Sequence, residues 1–157
     1  MRHSKLIDAG AAAQLIQDGD TVAVTGNGAG MGSGEAILAG VEARFLQTGH
    51  PRDLTVIHSL GIGDRDTLGF NRLAHEGLVR RVIAGHFTWS PRMQQLIREE
   101  KTEGYSFPAG ALQLLLREIG AGRPGLITET GLGTFVDPRQ DGGACNSRSR
   151  DQLVELL

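Results

Sequence analysis

The chain has little of what several classes of function require. It holds one cysteine, Cys145, so no disulfide can form within it, and such sparing use fits a reducing compartment. Its only lysines, Lys5 and Lys101, lie far from any glycine-rich stretch, which excludes a phosphate loop of the G-x-x-x-x-G-K-[ST] type. No apolar run approaches the length of a bilayer span, and the start, Met-Arg-His-Ser-Lys-Leu-Ile-Asp, lacks the apolar core of a signal peptide. Sixteen basic residues face 18 acidic ones, a formal charge of −2, so there is no basic excess to hold nucleic-acid phosphates. The five histidines, His3, His50, His58, His75 and His86, show no metal-ligand spacing. These absences predict a cytoplasmic protein that binds neither membrane nor nucleic acid and carries no metal. At 157 residues the chain can bury one real core, which predicts a single domain over residues 1–157.

Glycine, with 23 residues, is what the chain has in quantity. The densest stretch follows a β-branched run, Thr21-Val22-Ala23-Val24-Thr25, and reads Gly26-Asn27-Gly28-Ala29-Gly30-Met31-Gly32-Ser33-Gly34 before an amphipathic segment opens at Glu35. That is strand, glycine-rich turn and helix. Glycine lets a ligand approach the backbone closely, and the helix that follows aims its free N–H groups at whatever sits in the turn. An anionic group suits such a place: a carboxylate, a phosphate, or a thioester oxygen gaining charge during reaction.

Hydrophobic spacing predicts helices over 8–17, 33–47, 90–100 and 108–120 and strands over 21–25, 54–58, 78–84, 105–107 and 126–128. The segment 59–76 reads as a long polar and glycine-containing connection, and 151–157 as a strand beginning. Alternation of strand and helix predicts an α/β fold, an open and mostly parallel sheet with helices on both faces. Ligands of such sheets bind beyond the carboxyl ends of the strands, where the glycine stretches at 26–34 and 131–143 and the segments 59–66 and 85–90 should gather.

Motif by motif, the residues alone identify no reaction. A dinucleotide fingerprint would need glycine where Met31 or Ser33 stands, and 54–58 ends in His58-Ser59, without an acidic residue for a ribose. A G-x-S-x-G elbow around Ser33 fails at Met31 and Glu35. Glu35 reads either as a nucleophile or as a first-turn carboxylate complementing the helix dipole, with the second favoured. Asp64 and Asp66 read better as a solvated loop neutralised by Arg65 than as a catalytic pair. His86 reads better as hydrogen-bonded structure than as a pocket residue, and Phe87 and Trp89 as packing beneath the loop. Asp137 and Arg139 read as a pair that holds the second glycine stretch.

Several stretches together resemble the N-terminal, α-type half of family I coenzyme A-transferases, in particular their acetate/propionate, short-chain branch. They are Asp18-Gly19-Asp20-Thr21-Val22 with the glycines after it, Gly61-Ile62-Gly63-Asp64-Arg65, Leu73-Ala74-His75-Glu76-Gly77-Leu78-Val79, Gly85-His86, Ser90-Pro91-Arg92 and, most specific, 131–143 (GLGTFVDPRQDGG). The resemblance implies the open α/β domain of that family, of seven or so strands. It implies movement of coenzyme A between short-chain carboxylic acids through a glutamyl-CoA thioester, with coenzyme A as substrate and no other cofactor. The glutamate nucleophile belongs to a C-terminal half or β-type partner and has no match here. The chain alone is therefore expected to be inactive, with no catalytic residue of its own, and to work in a homo- or hetero-oligomer. The residues expected to line the acyl side of the cleft are Gly26, Asn27, Gly28, Ala29, Gly30, Met31, Gly61, Ile62, Gly63, Gly131, Gly133 and Thr134, chiefly through backbone N–H groups. Two departures stand out. The pattern stops at Leu157 where relatives continue, which reads as a domain cut short at its C-terminal end, and Ala109 occupies a position where many relatives carry glutamine. The competing readings are a non-catalytic assembly module or pseudoenzyme, and a nucleotide or sugar-phosphate binder on a similar frame.

Overall fold

The computed structural model describes residues 6–26 and 32–157. Four parallel strands, β1 (Thr21–Ala23), β2 (Leu54–His58), β3 (Val79–Ala84) and β4 (Glu103–Ser106), lie side by side in chain order. Their registers pair Val22 with Val56, Val56 with Val82, and Val82 with Gly104. Every side chain of β2 is buried, as expected for a central parallel strand covered on both faces.

The helices are α1 (Ala9–Gln14), α2 (Glu35–Thr48), α3 (Pro91–Arg98) and α4 (Ala109–Gly120). Asp8 caps α1 by accepting the Ala11 N–H at 2.7 Å, and Gly49 closes α2 in the left-handed conformation. Strands added always in one direction by right-handed crossovers place every crossover on one face. Accordingly α1, α2, a 3-10 turn at Phe70–Leu73 and α3 form one layer. Leu38, Val41, Met93 and Ile97 pack there with Leu54, Val56 and Val82, around Phe70, which is fully buried. Truncating Phe70 to alanine should cost about 3–5 kcal/mol. The opposite face carries α4: Leu112, Leu115 and Leu116 join Ile57, Ile83, Tyr105, Phe107 and Val136.

The α/β class, the parallel sheet and the helices on both faces agree with the sequence. Strand number does not: among the described residues the sheet has four strands, not seven. Residues 126–128 form no strand, and Ile127 is 83% exposed. Residues 151–157 likewise form no strand. The connection 59–76 holds the Phe70–Leu73 turn, whose Phe70, Asn71 and Leu73 are all buried. At the outer side of β4 the chain returns antiparallel: Ser106 N–H donates to Gly143 O at 2.8 Å and Cys145 N–H to Gly104 O at 2.8 Å. No helix among the described residues is long and apolar enough to cross a membrane.

Candidate functional site

The carboxyl ends of the strands carry four connections. β1 runs through Val24, Thr25 and Gly26 into the first glycine stretch. Asn27, Gly28, Ala29, Gly30 and Met31, all expected at the cleft, lie outside the described residues. Gly26 is placed against the second connection: a β-carbon there would lie 3.1 Å from Ser33 Cβ and 3.3 Å from Ile62 Cδ1. Thr25 and Gly34, on either side of that stretch, border an apolar hollow of about 240 Å³ between β1 and α2, with Val22, Val24, Ile37 and Leu38.

After β2 the chain forms a tight platform of Gly61, Ile62 and Gly63, all buried. The Gly61 N–H donates to His86 Nε2 at 3.2 Å, so the end of β3 supports the end of β2. Gly63 forms an antiparallel bridge with Gly69, and Arg65 N–H donates to Trp89 O at 3.0 Å. The Arg65 guanidinium lies 4.4 Å over the Trp89 ring. Arg65 thus stacks on tryptophan instead of neutralising its acidic neighbours. Asp64 Oδ1 accepts the N–H groups of Asp66 and Leu68, both at 2.9 Å, and Asp66 faces Arg92 at 3.8 Å. These two carboxylates hold the loop and do not form a pair.

Glu35, the first residue of α2, reaches across to this platform. Its Oε2 accepts the Gly69 N–H at 2.8 Å, and its Oε1 accepts Arg72 Nε. Arg72 Nη1 then donates to Glu42 Oε2 at 2.8 Å, and His75 Nε2 bonds Glu42 Oε1 at 3.0 Å. Burial raises the Glu42 carboxyl, but the bonds to His75 and Arg72 outweigh it and leave the group below its usual range. Sequence spacing could not reveal this relay, because its partners lie 30 or more residues apart and Arg72 sits in what reads as a polar loop.

His58 ends β2 wholly buried against Phe70, ring centroids 4.7 Å apart. Its Nδ1 bonds the Leu60 carbonyl, while its Nε2 is buried without a partner among the described residues. Burial pushes this imidazole down to about 4, against the opposing pull of the Leu60 carbonyl. The ring is neutral at pH 7.

The second glycine stretch stands over the end of β4. Val136 packs with Phe107 and Leu112, and Gly143 N–H donates to Phe135 O at 3.1 Å. Asp137, 1% exposed, accepts Gly133 N–H at 2.7 Å, Arg139 N–H and Nε at 2.9 Å, and Arg139 Nη2 at 2.6 Å. The Arg139 side chain first, then the two backbone N–H groups, hold this carboxyl well below the usual range. The pairing expected from the sequence is present. Gly131 is half-buried, and Gly133 and Thr134 are exposed. The structure therefore brings Gly26 and Ile62 together, whereas the second glycine stretch is anchored through Val136 and Gly143 at the end of β4, two strands away from β2. Of the expected backbone donors, Gly61, Gly133 and Thr134 already spend their N–H groups on His86, Asp137 and Gly131 O. Among the described residues no group of three or more histidine, cysteine or acidic side chains is placed to hold a metal ion.

Residues 7–153 match the family model for coenzyme A transferase. The caffeate CoA-transferase of Acetobacterium woodii is 44% identical over 154 residues, which cover 98% of this chain and 29% of that protein. The acetate CoA-transferase subunit alpha of Escherichia coli strain K12 is 34% identical over 134 residues, 85% of this chain and 57% of that subunit. The crystal structure of the acyl-CoA transferase YdiF from E. coli O157:H7, a thioester complex with CoA, superposes with a TM-score of 0.93 at 38% identity, over 96% of this chain and 31% of the other. The chain thus spans about a third or less of the long relatives it matches and over half of the short subunit.

Proposed function

The chain belongs to the coenzyme A transferase family, and we propose that it forms the N-terminal, α-type half of an acyl-CoA:carboxylate CoA-transferase for short-chain acids. The observation that carries this reading is the match along nearly the whole chain to a protein held as a thioester with CoA. The partial coverage of the long relatives, beside the larger coverage of a subunit named alpha, supports a second half or a β-type partner.

In the proposed reaction a glutamate carboxylate attacks the thioester carbonyl of an acyl-CoA, and the C–S bond breaks to release CoA thiolate and leave a mixed anhydride. The thiolate attacks the glutamyl carbonyl of that anhydride, expels the first acid as its carboxylate and forms glutamyl-CoA. The acceptor acid repeats the two steps in reverse. Each addition places negative charge on a carbonyl oxygen, and oriented N–H donors lower that barrier.

The attacking glutamate belongs to the partner half. The cleft wall of this half is Gly26, Asn27, Gly28, Ala29, Gly30, Met31, Gly61, Ile62, Gly63, Gly131, Gly133 and Thr134. Gly61, Gly133 and Thr134 shape the wall, since their own N–H groups are engaged, and the donors to the acyl oxygen come from the remaining residues of that wall. Coenzyme A is substrate. The test is to assay acetyl-CoA with propionate using the 157-residue chain with and without its β-type half. Transfer only in the combined sample supports the reading; transfer by the chain alone overturns it.

A further inference from the structure

Glu35 links the start of α2 to the connection that follows β2. It is the first residue of α2, directly beyond the stretch that opens at Gly26. Its two carboxylate oxygens reach two different donors on the far connection, the Gly69 N–H at 2.8 Å and Arg72 Nε. Gly69 is bridged to Gly63, the last residue of the platform after β2. The path from one glycine stretch to the other through polar contacts is therefore short: α2 first turn, Glu35 carboxylate, Gly69, Gly63. Ile62 Cδ1, which lies 3.3 Å from where a Gly26 β-carbon would stand, adds an apolar contact between them.

We infer that Glu35 is a positioning residue for CoA transfer, whose carboxylate ties the first turn of α2 to the Gly63–Gly69 bridge beside the platform after β2; this rests on the reading of the chain as half of a CoA-transferase. Three features of the geometry favour the role. Both oxygens accept N–H donors, Gly69 N–H and Arg72 Nε, so the carboxylate is held in one orientation. The side chain is 34% exposed and Arg72 25%, so solvent reaches the pair only in part and weakens it less than at an open surface. Only a carboxylate of this length satisfies both donors. Glutamine presents an NH2 group to one of them, and aspartate falls short of spanning both by one methylene. A small error in the placement of reacting groups is enough to cost about a hundredfold in rate.

The experiment uses the complete protein, with its second half, and the variants Glu35→Gln and Glu35→Asp. Amide hydrogen exchange is read at Gly69, and kcat and KM are read for transfer from acetyl-CoA to propionate. In Glu35→Gln the Gly69 amide should exchange at least about tenfold faster. Its kcat should fall about tenfold to a hundredfold while the KM for acyl-CoA changes by less than about threefold. Glu35→Asp should lie between, and it carries the test if the glutamine variant does not fold. Full kcat with faster Gly69 exchange would reduce the clamp to a structural contact and overturn the inference, and so would unchanged exchange. If the unaltered complete protein transfers no CoA, the functional reading fails by itself, while the Gly69 exchange still judges the clamp.

Discussion

The Gly61 N–H donates to His86 Nε2 at 3.2 Å, and the imidazole lies so close that no side chain fits on Gly61. A β-carbon there would stand 2.2 Å from His86 Cε1 and 2.8 Å from Trp89 Cδ1. Gly61→Ala should therefore destabilise the protein by about 1–3 kcal/mol through overpacking. Because the main obstacle is a side chain, His86→Ala should recover part of that loss in the double variant. Thermal unfolding of the two single variants and the double one checks this. Strictly additive losses would show that Gly61 and His86 do not press on one another.

Gly63 gives a contrasting case. Its φ is +148°, and a β-carbon would lie 2.2 Å from the Trp89 carbonyl oxygen, which is backbone and cannot step aside. Gly63→Ala should be at least as damaging as Gly61→Ala, and trimming Trp89 to alanine should give no recovery. A rescued double variant would show that the 86–89 turn yields more readily than its hydrogen bonds imply.

Acid should unfold the protein earlier than its carboxylates alone require. His58 is neutral when folded because burial pushes it down to about 4 from an ordinary 6.5. A lowered folded value means that the unfolded chain takes up the proton first. Stability is therefore whole above about pH 6.5 and falls as pH drops from there toward 4, by up to roughly 3 kcal/mol. Carboxylates held below their usual range, Asp137 among them, add to the loss only at lower pH. Unfolding midpoints between pH 7.5 and 4.5 check this. His58→Leu should flatten the curve over that window, and an unchanged slope would remove His58 as its cause.

The second glycine stretch should depend on Asp137 more than on its glycines. This buried carboxylate takes four N–H donors from Gly133 and Arg139. Asp137→Ala should speed amide exchange at Gly133 and Arg139 and expose residues 131–139 to proteolysis, leaving the sheet protected. Protection unchanged at Gly133 would mean that the turn holds by its backbone bonds alone.

Much of this was legible in the sequence. The β-branched, largely apolar run Leu54–His58 and the parallel pairing it implies fall where expected, as does the Pro91 start of α3. The pairing of Asp137 with Arg139 is local, two residues apart, and so it shows in the spacing. What was not legible depends on distant neighbours. Residues 126–128 have strand-like composition, but a strand needs an adjacent edge, and composition cannot say whether one is offered. Phe70 and Leu73 read as part of a polar connection because a 3-10 turn of four residues is too short to show a period. Arg65 looked like a counter-ion to its neighbours, whereas a tryptophan 24 positions away competes for it. The bond from Glu35 to Gly69 spans 34 residues and leaves no trace in local pattern.

The site of the covalent intermediate decides which half carries the nucleophile. The measurement is peptide mass mapping of the CoA adduct in the complete protein after brief reaction with acetyl-CoA. The account predicts an adduct on a glutamate outside residues 1–157, with Glu35 unmodified. An adduct on Glu35, or on any other carboxylate of this chain, would contradict it.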